Sequence, residues 1–183
     1  MQKSQLIITP KITEKQLATR IDALAEDIAI DYEDLDVVFV CILKGSVIFM
    51  TDLIRAIAGK PRDVRLITEF MMVSSYNGTT QSSGNIRVLL DMRTDIRGKH
   101  VIIVENIVDT GLTMNHLVRL LQQRGPKSIR ICTLLQKGTP KLDVPLDYVG
   151  FTIDPYEFVV GYGLDYEERY RELPFVGVVA PSD

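Results

Sequence analysis

The chain has 183 residues, with 46% hydrophobic and 25% charged side chains, two cysteines and a formal net charge of −3. That length supports one domain, residues 1–183, with a full hydrophobic core, and the composition is that of globular rather than fibrous or disordered chains. The slight negative balance argues against a broad nucleic-acid face, and no run approaches the roughly 18 apolar residues of a membrane span, so no nucleic-acid or membrane partner is expected and the expected location is cytoplasmic.

The N-terminal MQKSQLIITPKI has neither the long apolar core nor the small-residue cleavage site of a leader. Thr13-Glu14-Lys15-Gln16 fits a capping box, and Leu17, Ile21, Leu24 and Ile28 then fall on one helical face. DVVFVCIL, residues 36–43, is a continuous β-branched run, the pattern of a strand buried on both faces of a parallel sheet. Lys44-Gly45-Ser46 breaks it, and Met50, Leu53, Ile54 and Ile57 mark a second helix. DVRLITEFMMV, residues 63–73, predicts a strand, and SSYNGTTQSSGN, residues 74–85, a polar mobile loop. IRVLLDM predicts another strand. VIIVEN, residues 101–106, runs into a helix carrying Met114, Leu117, Val118 and Leu121 on one face, and SIRICTLLQ, residues 128–136, is strand again. YVGFTI, EFVVGYG and FVGVVA predict three short strands at the tail. Cys41 and Cys132 both sit inside apolar runs and read as reduced core residues, without zinc-ligand spacing. His100 and His116 fall outside every motif and read as surface or helix residues.

Strands alternating with helices predict an α/β domain with a mostly parallel central sheet flanked by helices. Ligands bind such sheets beyond the carboxyl ends of the strands, which directs attention to the residues after VFVCIL, VIIV and ICTLL. After VIIV come Glu105-Asn106-Ile107-Val108-Asp109-Thr110-Gly111-Leu112-Thr113. Gly111 allows a tight turn, and successive N–H groups opening a helix, with the Thr110 and Thr113 hydroxyls, suit an anion. Asp-Thr-Gly alone also fits a plain N-cap turn. The acid at 105 shifts the balance, because a charge at the end of a central strand needs a partner, and a carboxylate there suits vicinal hydroxyls or a metal.

This segment resembles the diphosphoribose-binding signature of the type I phosphoribosyltransferases, and Asp109 resembles the hypoxanthine-guanine members in particular. The likeness covers nearly the whole chain, because four further segments match in order. Leu43-Lys44-Gly45-Ser46 resembles the pyrophosphate loop, where the Leu43–Lys44 peptide would be cis. Ser75-Tyr76 resembles a lid that closes over the sugar. Lys137 matches the lysine that contacts the 6-oxo group of the purine. Phe158, Val159, Leu164 and Asp165 match the purine pocket, with Phe158 stacking on the base, Val159 offering backbone groups to its edge and Asp165 holding a second magnesium through waters. Arg171 matches an arginine on pyrophosphate. The resemblance implies the type I fold, with a small hood formed by terminal segments. It implies transfer of 5-phosphoribosyl from phosphoribosyl pyrophosphate to hypoxanthine or guanine, giving IMP or GMP plus pyrophosphate. It further implies Mg2+ held by Glu105, Asn106 and Asp165, Asp109 as the catalytic group near purine nitrogen 7, ribose hydroxyls on Glu105 and Asn106, the 5′-phosphate on Thr110, Gly111, Leu112 and Thr113, and a homodimer or homotetramer.

Asn106 departs from the family pattern, in which this place is usually Asp. A tolerated variant, an altered site and a binding-only homologue all fit the change, and on the family pattern Asn106→Asp is expected to keep or raise turnover. Two rival functions share the fold: a regulatory RNA-binding relative like the pyrimidine attenuation proteins, disfavoured by the charge balance and Asp109, and a sister enzyme using another base or with strong xanthine activity.

Overall fold

A computed structural model describes residues 7–75 and 86–180. Twelve elements follow in order: β1 (Ile7–Ile12), α1 (Glu14–Asp31), β2 (Asp36–Leu43), α2 (Val47–Ala58), β3 (Arg65–Ser75), β4 (Ile86–Leu90), β5 (His100–Val108), α3 (Leu112–Gln122), β6 (Ser128–Lys137), β7 (Tyr148–Ile153), β8 (Val159–Val160) and β9 (Val176–Ala180). Six strands form the main sheet in the order β4-β3-β2-β5-β6-β7. Every pair in it is parallel except β3 with β4. The terminal strands form a separate antiparallel sheet, β1-β9-β8, which is the expected hood.

The sheet is covered on both faces, which explains the unbroken apolar runs. Successive side chains of a strand point to opposite faces. Along β2, Val37, Phe39 and Cys41 join the cluster containing Leu17, Ile21 and Leu24 of α1 and Phe49 and Leu53 of α2. Val38, Val40 and Ile42 join the cluster of Met114, Leu117, Val118 and Leu121 on α3. The capping box forms: Thr13 Oγ1 accepts from Gln16 N, and Gln16 Oε1 accepts from Thr13 N at 2.8 Å. Both cysteines are free and buried.

The N-terminal segment, for which the sequence predicted no element, forms strand β1, whose pairing with β9 shifts register between Pro10 and Ile12, an irregularity suited to a residue without a backbone donor. Three expectations need correction. Ser74 and Ser75 belong to β3, paired with Arg87 and Ile86, so the loop begins later than its polarity suggests; Tyr76 lies outside the described residues. EFVVGYG yields only the two residues of β8, because the chain turns over Gly161–Leu164 with Gly161 N donating to Leu164 O. His100 is a half-buried strand residue, its Nδ1 2.7 Å from Ser128 Oγ and its ring edge-on to Tyr32.

Strand β5 lies at the centre of the sheet and delivers Glu105–Asp109 to its carboxyl edge. Ile103 anchors it, fully buried between Val40 of β2 and Ile131 of β6. Ile103→Ala is expected to lower stability in urea denaturation by about 2–5 kcal/mol through lost burial and a residual cavity. Ile30→Ala, at a residue 53% exposed on α1, should change it by no more than ~0.5 kcal/mol. Equal losses at the two positions would contradict this packing.

Candidate active site

Glu105 is the first polar residue of β5 after four fully buried aliphatics. Its Oε1 accepts a hydrogen bond from Ser46 Oγ at 2.9 Å, and from the backbone N–H of Asn106 at 2.8 Å. A little of Glu105 reaches solvent, yet burial dominates its ionisation. Desolvation pushes the carboxyl up to about 7, against weaker opposing hydrogen bonds from Asn106 N, Ser46 and Ile107 N, which favour the charged form. Asn106 is buried, at 1% exposure. Its Nδ2 donates to the Tyr162 carbonyl at 2.9 Å, its backbone N–H reaches Ser46 Oγ at 2.9 Å, and its Oδ1 has no partner among the described residues.

The next turn opens α3 over a cavity. Glu105, Ile107, Val108, Asp109, Thr110, Gly111, Thr113 and Met114 line a cavity of about 180 Å³. Gly111 caps α3 at φ 88, a left-handed conformation, and a Cβ there would lie 2.7 Å from the Lys141 carbonyl oxygen, so the turn requires glycine twice over. The backbone N–H groups of the first turn of α3 have no partners within the helix, and the helix dipole adds partial positive charge. The following loop braces the turn: Lys141 N donates to Thr110 O, and Asn115 Nδ2 donates to Lys141 O at 2.9 Å. Leu112, in contrast, is 52% exposed, and only its backbone N–H engages the turn, on Thr110 Oγ1 at 3.4 Å.

Beside this cavity the ends of β5 and β6 bring two expected residues together. Lys137 Nζ lies 3.4 Å from Asp109 Oδ2. A second group gathers at the end of β2 and under the hood. The Leu43–Lys44 peptide is cis. Lys44 Nζ pairs with Glu168 at 2.8 Å. Arg171 donates from Nη1 to Gly163 O at 2.7 Å, and its Nη2 meets Asp165 Oδ1 at 2.8 Å and Glu168 Oε1 at 3.3 Å. Asp165 Oδ2 accepts from Glu168 N. Gly163 packs so tightly on the loop after β2 that a Cβ would meet the Gly45 carbonyl oxygen.

Phe158 is 49% exposed and sits edge-on to Tyr166, with ring centroids 5.8 Å apart. Val159 and Leu164 are buried, at 7% and 9% exposure, in the cluster below. Ser75 ends β3, and only its backbone is described. Ser46, Tyr162 and Glu168 are working parts that motif reading passed over. Ser46 stands in the quoted Leu-Lys-Gly-Ser and could have been found as the hydroxyl nearest the acid; Glu168, holding two cations at once, leaves no mark in the sequence.

A divalent cation fits the Glu105 side of this site, because a carboxyl raised by burial is one that a neighbouring cation would stabilise in its charged form. Asp165 has both oxygens engaged, and the Asn106 side chain is closed over by protein. Among the described residues no three His, Cys, Asp or Glu gather to hold a metal. No described helix is long and apolar enough to cross a membrane.

Comparison with known proteins agrees with the geometry. The model of the phosphoribosyl transferase domain matches residues 11–167. The hypoxanthine-guanine phosphoribosyltransferase of Dictyostelium discoideum is 49% identical over 167 residues, 90% of this chain and 91% of its own length. That of Bacillus subtilis is 42% identical over 172 residues, 93% of this chain and 92% of its own. Among solved structures, a Trypanosoma cruzi hypoxanthine phosphoribosyl transferase, studied for the role of its C-terminal region in oligomeric state and enzymatic activity, superposes with a TM-score of 0.88 at 40% identity, covering 99% of this chain and 95% of that one. With most of its length matched by the domain model and by these relatives, the chain belongs to the phosphoribosyl transferase family.

Proposed function

We propose that the protein salvages purines: it transfers 5-phosphoribosyl from phosphoribosyl pyrophosphate to hypoxanthine and guanine, releasing IMP or GMP and pyrophosphate, in the cytoplasm and as a homodimer or homotetramer. The observation that carries this reading is the approach of Lys137 to Asp109 at the rim of the cavity lined by the Asp109–Thr113 turn. An ammonium group and a carboxylate there match a 6-oxopurine, which offers a carbonyl to accept and a ring N–H to donate. The net charge of −3 weighs against the RNA-binding alternative.

In the proposed reaction Thr110, Gly111 and Thr113 hold the 5′-phosphate at the helix opening, while Glu105 takes ribose hydroxyls. Lys44 and Arg171 meet the pyrophosphate, the arginine by a fork that suits phosphate oxygens. Bound magnesium, with Glu105 and waters near Asp165 as its protein side, would neutralise the leaving pyrophosphate. The purine sits with its 6-oxo group on Lys137, its edge on the Val159 backbone and its ring against Phe158, with Leu164 packed beneath. As the sugar–pyrophosphate bond breaks, purine nitrogen 9 bonds to the anomeric carbon and Asp109 takes the proton from nitrogen 7. Pyrophosphate leaves with the bonding pair.

The deciding assay mixes the protein with phosphoribosyl pyrophosphate, magnesium and each of hypoxanthine, guanine, xanthine and adenine, and follows the ultraviolet change of nucleotide formation. Turnover of the 6-oxopurines but not adenine supports the reading; no turnover with any base sinks it. Asp109→Ala should lower kcat by about 10²–10⁴-fold, the usual range for a positioned proton acceptor, and weaken phosphoribosyl pyrophosphate binding far less. Unchanged turnover would remove Asp109 from the mechanism. Lys137→Ala should narrow the rate gap between hypoxanthine and adenine; an unchanged ratio would show that the 6-position is read elsewhere.

Glu105 also makes a pH prediction for the ligand-free protein. Its carboxyl moves from 4.5 to about 7 on folding. The folded state therefore holds this proton more tightly, and the group's stabilising contribution is full below 4.5 and is lost as pH rises through about 7. Glu105→Gln removes that loss, so in urea denaturation the variant should gain on the native protein between pH ~4 and ~8 by on the order of 3 kcal/mol. Parallel stability curves for the two proteins would refute the burial of this charge.

A further inference from the structure

We infer that Asn106 is a positioning residue for the purine side of the site rather than a ligand of the sugar or the metal. The inference rests on the salvage reading above and revises the role that the family pattern assigns to this place. Three observations meet in it. The side chain is 1% exposed, so no ligand atom reaches it without the site opening. Its Nδ2 donates at 2.9 Å to the carbonyl of Tyr162, in the turn that follows the base-edge strand β8 and leads into Asp165. Its backbone N–H meets Ser46 Oγ at 2.9 Å, at the opening of α2 after the pyrophosphate loop.

Asn106 thus fastens three segments at one point: the sugar strand, the loop after β2 and the purine-side turn. The two outer segments touch backbone to backbone, since a Cβ on Gly163 would lie 2.0 Å from the Gly45 oxygen and 3.1 Å from Asn106 Nδ2. The Tyr162 partner is itself held. Its hydroxyl donates to Asp52 Oδ2, and its N–H donates to Leu173 O at 2.8 Å. A carbonyl so fixed accepts hydrogen bonds and gives none, so the group facing it must be a donor. Asparagine is that donor. An ionised aspartate in the same rotamer would set a bare oxygen against the carbonyl oxygen in a buried site, where unpaired polar atoms cost most. In this chain the amide therefore replaces a charge near the sugar with a tie that sets where the base pocket stands relative to the sugar. The family pattern led to the expectation that Asn106→Asp keeps or raises turnover; this geometry leads instead to weaker binding of the base.

Asn106→Asp keeps the shape of the side chain and removes the donor once the new carboxyl is ionised, so the measurements are made at pH ~9, above the range to which burial raises a carboxyl here. Steady-state kinetics should show KM for hypoxanthine and guanine raised about tenfold, the worth of roughly one hydrogen bond. Calorimetric titration with magnesium and phosphoribosyl pyrophosphate should give a Kd within about twofold of the native value, because a tie to the purine side leaves the sugar contacts in place. A general loss of packing would weaken both together, so the split separates positioning from mere stability. Tighter phosphoribosyl pyrophosphate binding or higher kcat, with KM for the base unchanged, would make position 106 a sugar or metal ligand and overturn the inference. Should the variant not fold, a crystal structure of the native protein with magnesium and phosphoribosyl pyrophosphate decides the same point. The amide still on the Tyr162 carbonyl upholds the inference, and an Asn106 oxygen on a ribose hydroxyl or on the metal overturns it. Native turnover in the four-base assay is read separately, so its failure would sink the salvage reading and leave the contact to be decided by the crystal structure.

Discussion

A carboxyl group at the end of a strand buried on both faces is the constraint around which the rest of the site is arranged. Glu105 follows four aliphatic residues with no exposure at all, and burial raises its ionisation to about 7. Such a group is tolerated only with partners. They are the Ser46 hydroxyl, across from β2, and backbone N–H groups of the next residues, Asn106 and Ile107. The first depends on the parallel pairing of β2 with β5, which sets the chain leaving β2 beside the chain ending β5. The sheet topology and the site chemistry are thus one fact seen twice. Without the crossover that makes β2 and β5 neighbours, Ser46 would not meet Glu105, and the loop after β2 would not stand beside the end of β5.

Much of the architecture is legible in the sequence because burial on both faces leaves a plain mark. DVVFVCIL and VIIV are strands that helices cover from either side, and Thr13 with Gln16 states where α1 begins. The turn into α3 is legible for the same kind of reason, since only glycine fits at position 111. The hood is harder. β1 and β9 pair across nearly the whole chain, from Ile7 with Ala180 to Ile12 with Val176, and no local pattern announces a contact of that span. The stretch after β8 is harder still. Tyr162, Glu167, Glu168 and Tyr170 all adopt positive φ, a region in which non-glycine residues are uncommon. The bends there are imposed by tertiary contacts, through Arg171 on Gly163 and Tyr162 on Asp52, and not by turn residues that a reader could find.

The site residues divide along the same line. Glu105, Asp109, Thr110, Gly111 and Thr113 lie within one stretch, so their meeting around one cavity follows from a single strand-turn-helix. Lys137 joins them because β6 is parallel to β5 and in register, with Val108 opposite Gln136. Lys44 comes from a segment distant from the one that holds Asp165 and Arg171, and what joins it to Arg171 in the folded chain is Glu168, which neither motif nor spacing singles out. Charge balance explains its presence. Two cations brought together repel each other, and a carboxylate between them offsets that repulsion, modestly for groups this exposed.

Asn106 shows why a motif read letter by letter can mislead about one of its letters. The family signature places an acid beside Glu105, and from sequence an amide there looks like a weakened acid. Its surroundings give it another meaning. Asp and Asn share a shape but differ in what they can face: a carboxylate can only accept, while a carboxamide accepts at one end and donates at the other. The donor end meets a carbonyl that cannot move, since the tyrosine bearing it is anchored through both its hydroxyl and its N–H. Only the acceptor end is left without a partner. That pattern marks a side chain chosen for what it gives, whereas a ligand of magnesium or of sugar hydroxyls would be chosen for what it accepts. The same substitution at an open strand end, with solvent in place of Tyr162, would carry no such meaning. The tertiary contact, and not the residue type, tells the two cases apart.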